Sequence, residues 1–184
     1  MVFQEYALFP WMTVAQNIAF GLEIQKKDKA EINLTVNQLL DLLHLKDFRD
    51  RFPKDLSGGM RQRVAIARVL ALDSPIMLMD EPFGALDALT RRNLQDELLR
   101  IWEKLGKTIL FVTHSIEESI YLADRIIVMT YRPGTVKRDQ KVDMPRPRDP
   151  SSADFNDLKR ELGRLVMEEQ QRHADAELKL AAVD

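Results

Sequence analysis

The chain contains no cysteine, which excludes disulfides and thiolate chemistry and is in keeping with a reducing compartment. It contains no apolar run approaching the roughly 18 residues that a membrane-crossing helix needs. Its first residues, MVFQEYALFPW, do not show the charged, apolar, small-residue pattern of a secretory leader. Charge of either sign is nearly balanced, at a net -2, so no strongly basic character points to nucleic acid. Histidine is scarce, with His44, His114 and His173 the only three. No two of them have metal-ligand spacing, which argues against a structural zinc site. Internal repeats and low-complexity tracts are absent too. What remains is ordinary globular material: 184 residues, 45% hydrophobic and 30% charged, enough for one domain with a sizeable core.

Along the chain, residues 13–51 read as mostly helical, with Thr13 an N-cap for TVAQNIAFGLEI. From Ala30 to Leu45, the residues Ile32, Val36, Leu39, Leu40 and Leu43 share one face at helical spacing. A further helix runs from Met60 to Leu72 and breaks at Ser74-Pro75. Then strand and helix alternate. IMLMD (76–80) reads as a buried strand, 88–105 as a helix ending at Gly106, and TILFVT (108–113) as a strand. IEESIYLA (116–123) follows as a short helix, and RIIVMTY (125–131) as a last strand. This alternation predicts a parallel α/β sheet. After Val142 the composition shifts to MPRPRDPSS, which reads as a linker. An amphipathic helix with Phe155, Leu158, Leu162, Leu165 and Val166 on one face then runs to about Leu178, its last turns expected to fray.

Four groups of residues carry chemistry. In LSGGMRQR (56–63), Ser57, Gly58 and Gly59 stand where a loop becomes a helix. Unpaired N–H groups and the helix dipole favour an anion there, and glycine lets backbone approach it closely. A plain serine cap with glycines for the turn would look the same over three residues. In IMLMDEP (76–82), Asp80 and Glu81 end an apolar strand, at the sheet edge where α/β proteins bind ligands. Asp80 can hold Mg²⁺ and Glu81 can act as general base toward water. His114 follows the next strand, a place where a lone histidine is more often structural. Gln4 sits beside a strand end, followed by Phe9, Pro10 and Trp11 in a proline-bent loop that could face a partner or pack inward.

In this order and over residues 2–131, the segments VFQEYALFPW, LSGGMRQR, IMLMDEP, FGALD and TILFVTHS resemble the ATP-binding subunits of ABC transporters. The resemblance implies an incomplete P-loop NTPase-type parallel sheet, with a helical signature-motif subdomain over about 13–72, inside a domain of residues 1–142. Residues 143–184 would be a linker and C-terminal helix. It implies that Ser57, Gly58, Gly59 and Gln62 bind ATP held by the opposite subunit of a homodimer, with Asp87 at the dimer seam. Asp80 would hold Mg²⁺ and Glu81 would be the general base. Gln4 would reach the metal and the attacking water, and His114 would contact the γ-phosphate. The region after Gln4 would receive a membrane permease subunit at the cytoplasmic face of the membrane, and the permease in turn a substrate-binding protein. LFPWMTV and the PRPRDPSS tail look most like the importers of nitrate, sulfonates and taurine. Chromosome-maintenance and DNA-repair ATPases share the signature. They insert long coiled coils, however, and the stretch between Gln4 and Leu56 has no sustained heptads.

One family element has no counterpart. Phosphoryl transfer needs G-x-x-x-x-G-K-[ST] on a strand-to-helix turn. Gly106-Lys107-Thr108 is a decoy, because Ile101 stands where the first glycine belongs and the order is helix to strand. The expectation is therefore an N-terminally truncated or misannotated reading frame. Alone it would bind ATP weakly and be inactive. The rival expectation is a remnant that only donates a signature motif within a dimer.

Overall fold

Local chemistry sets the helix starts. The Thr13 side chain accepts from the Gln16 N–H while the Gln16 side chain accepts from the Thr13 N–H, a closed capping box that opens α1 (Val14–Ile24). Asp28 caps α2 (Lys29–Leu42) and Ser57 caps α3 (Gly58–Leu70). In α2 and the turn after it, Val36, Leu39, Leu40 and Leu43 are buried. They meet the apolar sides of α1 and α3, whose Ile18, Val64 and Ala67 are also inside. The computed structural model describes the backbone of residues 1–181 and the side chains of residues 1–174.

The chain divides into two compact units, Met1–Val112 and Thr113–Asp184. In the first, β1 (Ile76–Asp80) pairs in parallel with β2 (Thr108–Val112), placing Leu78 beside Leu110 and Asp80 beside Val112. On its other side β1 meets Val2, through Val2 N–H to Leu78 O at 2.8 Å and Asp80 N–H to Val2 O at 2.9 Å. Between the strands runs α4 (Ala88–Leu105), closed by Gly106 at φ 60°. The parallel pairing is the expected one. The burial of β1 is not: Met77 and Met79 are buried, whereas Ile76 and Leu78 are exposed. The strand is apolar on both sides, but described residues cover only one.

In the second unit, α5 (Ile116–Leu122) precedes β3 (Arg125–Met129). This strand does not extend a parallel sheet. It pairs antiparallel with β4 (Val136–Lys141), a strand missed in the sequence because VKRDQK has no apolar alternation. The short Arg132–Thr135 turn permits only the antiparallel hairpin. The MPRPRDPSS segment is no loose linker either. Arg148 is 4% exposed and donates to the carbonyls of Ile120 and Ala123, both at 2.6 Å, at the end of α5. Arg146 donates to Leu122 O and to the Asp124 carboxylate. Then α6 (Ala153–Ala181) packs on α5 and β3, with Phe155 and Leu162 buried. The helix was expected to end near Leu178, and its backbone is helical to Ala181; the side chains of its last turns lie outside those described.

Candidate functional site

The strand-end acids lie where the sequence puts them. Asp80 is half-buried at the last position of β1. Glu81 follows with φ 43°, and its N–H is bonded to Val112 O at 2.9 Å. A non-glycine residue in the left-handed region is uncommon and gathers at functional sites. The chain then turns through Pro82–Gly84, with Gly84 N–H donating to Glu81 O at 3.1 Å. Against this turn lies Gln4. A Cβ on Gly84 would fall 3.0 Å from Gln4 Nε2 and 3.4 Å from Glu81 O, so the glutamine amide lies directly over this glycine.

Ser57 Oγ accepts from Met60 N–H at 3.3 Å and caps α3. The two glycines after it are closely packed inside the protein itself, Gly59 the more tightly. A Cβ on Gly58 would stand 3.1 Å from Tyr6 Oη and 3.3 Å from Leu86 Cδ2. One on Gly59 would stand 2.7 Å from Thr90 Cγ2, an impossible contact. Asp87 caps α4 by accepting from Thr90 N–H at 2.9 Å. That bond holds its carboxyl below the usual aspartate range. The signature glycines and the Asp87 turn are thus packed together. Gln62, one turn into α3, is fully buried, and neither polar atom of its amide has a hydrogen-bond partner among the described residues.

Gln4, Ser57, Gly58, Gly59, Gln62, Asp80, Glu81 and Asp87 all belong to the first unit. His114 is an exposed residue of the second unit, in the segment between Thr113 and the α5 cap Ser115. Thr113 Oγ1 donates to Glu118 at 2.6 Å and accepts from Ser115 N–H at 3.0 Å, which fixes the backbone around it. Phe9 and Trp11 divide between the two alternatives read from sequence. Phe9 packs against Phe20 with ring centroids 4.6 Å apart, while Trp11 is 70% exposed.

Among the described residues no three carboxylates or histidines gather into a metal cage. A half-buried carboxylate at a strand end fits Mg²⁺ nonetheless. That ion takes one or two carboxylates and completes its shell with water and phosphate oxygens.

Three residues that shape the site have no motif of their own. Asn17 is buried and binds both ends of the Phe9–Thr13 loop, accepting from Phe9 N–H at 2.9 Å and donating to Phe9 O, Met12 O and Thr13 O. Arg91 donates to Phe83 O at 3.2 Å and Leu86 O at 2.9 Å, bracing the turn before Asp87. Arg68 holds the loop after Gln4. Their partners are backbone carbonyls, which leave no trace in a sequence.

Comparison with known proteins points to one family. Residues 1–84 match the family described as ABC transporter. An uncharacterized ABC transporter ATP-binding protein of Methanocaldococcus jannaschii is 49% identical over 169 residues, covering 92% of this chain and 63% of that protein. Over nearly its whole length, then, the chain is similar to the ATP-binding subunits of ABC transporters. A nitrate import ATP-binding protein of Synechocystis is 48% identical over 145 residues, 79% of this chain and 54% of that protein. A dimeric ATP-binding cassette in a post-hydrolysis state, bound to ADP and Pi, superposes with a TM-score of 0.64 at 34% identity. That match covers 78% of this chain and 62% of the cassette. The chain therefore spans less than two thirds of the length of these relatives. Its fold class is that of the cassette, a parallel α/β ladder with a helical part formed by α1, α2 and α3.

Proposed function

We propose that this chain supplies the acid, glutamine and signature elements of an ATP-hydrolysing subunit that drives import through a membrane permease. The observation that carries the reading is the convergence of Gln4 on the turn that begins at Glu81. In this reading Glu81 accepts the proton of the attacking water. Asp80 holds Mg²⁺, which neutralises charge developing on the transferred phosphoryl group. Gln4 orients the water, and His114 contacts the γ-phosphate. The α3 N-terminus, with Ser57, Gly58, Gly59 and Gln62 behind it, faces ATP on a second subunit, and Asp87 lies at that seam. The dimeric cassette supports this arrangement of two subunits. The nitrate import relative supports an importer of a small anion, a class that includes sulfonates and taurine in the sequence reading. Exposed Trp11 beside Phe9 suits the permease contact, on the cytoplasmic face of the membrane.

The test is a chimera in which the P-loop segment of an ABC ATP-binding subunit precedes this chain, with the 184-residue chain alone as baseline. The chimera is expected to hydrolyse ATP and the chain alone is not. Glu81→Gln in the chimera keeps nucleotide binding and lowers turnover by at least about 100-fold, since an amide cannot take the proton. Turnover within tenfold of the parent would remove Glu81 from the role of base.

A further inference from the structure

Two consecutive non-glycine residues just after Gln4, Tyr6 at φ 61° and Ala7 at φ 47°, lie in the left-handed region. The turn is tight, with Tyr6 N–H to Phe3 O at 3.2 Å and Ala7 N–H to Glu5 O at 2.6 Å. Alanine and tyrosine do not hold this conformation unaided, so the surroundings must impose it. What imposes it is one side chain from α3. Arg68 Nη1 donates to Ala7 O at 2.7 Å and Nη2 donates to Tyr6 O at 3.2 Å. The guanidinium lies 5.5 Å from the centroid of the Phe9 ring, which is itself fixed by Asn17 and Phe20. The two outer nitrogens of a planar fork reach two adjacent carbonyls in a way that a lysine cannot. Burial disfavours the charged form of Arg68 and lowers its pKa. A cation kept there against that cost is consistent with a specific task.

We infer that Arg68 is a positioning residue for Gln4: by clamping the Tyr6 and Ala7 carbonyls to α3, it sets where the glutamine reaches over the Glu81–Gly84 turn. The inference rests on the reading of Gln4 given above. The clamp has a consequence for coupling. Arg68 and the signature residues Ser57, Gly58 and Gly59 belong to one helix and its cap, and Tyr6 touches that helix at both places, by its carbonyl at Arg68 and by its hydroxyl against Gly58. A displacement of α3 therefore carries the Gln4 loop with it.

The test uses Arg68→Met, which keeps the stem, and Arg68→Lys, which keeps the charge without the fork, both in the 184-residue chain. Two signals are followed by NMR: amide hydrogen exchange at Tyr6, Ala7 and Phe9, and the side-chain amide resonance of Gln4. In Arg68→Met, exchange at those amides is expected to rise at least tenfold and the Gln4 resonance to move. Amides of α1 and α2 should stay within twofold, and Arg68→Lys should fall between. Adding Ala7→Gly to Arg68→Met removes one left-handed penalty and is expected to restore part of the protection; the Gln4 resonance is the signal that a merely structural role of Arg68 would not move. An unmoved Gln4 resonance in a folded Arg68→Met chain overturns the inference. So does a uniform rise of exchange along α3. If Arg68→Met does not fold, the same readouts in Arg68→Lys decide. Failure of the nucleotide-site reading shows separately, in the Glu81→Gln chimera, and leaves these signals as they are.

Discussion

Asp87 does two jobs that can be separated by pH. As a cap it accepts the Thr90 N–H, and this bond holds its carboxyl below the ordinary aspartate value of 3.8. The folded state therefore binds the proton less readily than the unfolded chain. The charged cap's extra contribution is complete above 3.8 and is lost as the pH falls through the depressed folded value. Asn at this position still accepts the N–H but carries no charge toward the helix dipole. Asp87→Asn is expected to melt slightly below the parent at pH 7, with the gap closing under acid conditions. Melting curves across that range check it. A gap that stays constant with pH would mean that the charge contributes nothing to the cap. Glu81 shows a different limit of sequence reading. Its role as strand-end acid is visible in IMLMDEP, but its left-handed backbone is not, because that conformation is imposed by the bonds to Val112 and Gly84 rather than by its own propensity.

At the scale of elements, the close contact of α3 with α4 depends on Gly59. A methyl there would stand 2.7 Å from Thr90 Cγ2, a contact too close to persist unless something shifts, on a side chain with few χ1 choices. Gly59→Ala is expected to destabilise the chain by about 1–3 kcal/mol, the usual range for overpacking. Thr90→Ser deletes the offending methyl, so the double variant Gly59→Ala/Thr90→Ser should recover most of that loss. Urea denaturation of the four proteins measures the coupling, and additive losses would show that the two residues do not meet. The start of α1 was legible because Thr13 with Gln16 is a code within four residues, and Ser57 was legible as one of two readings. Asp28 and Asp87 were not read as caps, since the groups they accept from are backbone N–H. The Arg146 and Arg148 clasp on the end of α5 was not legible either. There, arginines separated by prolines read as a linker, and only the fold brings the carbonyls of Ile120 and Ala123 to them. For the same reason β4 was overlooked: its place is set by the hairpin, not by apolar alternation.

At the scale of the whole molecule, the first unit presents an apolar sheet face to solvent. Parallel pairing puts Leu78 and Leu110 side by side at 41% and 59% exposure, with Ile76 and Val112 in line above and below. Phe3, next to the Val2 bridge, extends the row on the other side of β1. Scattered exposed leucines are unremarkable, but a contiguous row across adjacent strands is a surface that seeks a partner or aggregates. The 184-residue chain is therefore expected to self-associate with rising concentration, and salting-out ions should strengthen the effect. The double substitution Leu78→Lys/Leu110→Lys places two charges at the centre of the row and should shift the onset of light scattering to a clearly higher concentration. Leu34→Lys is the control, because Leu34 is at least as exposed as either leucine but stands on α2, outside the sheet. If that control suppresses scattering as well as the double variant does, net charge rather than the sheet face governs association. If neither variant changes it, the face is not the adhesive surface, and the row of apolar side chains is tolerated in water as it stands.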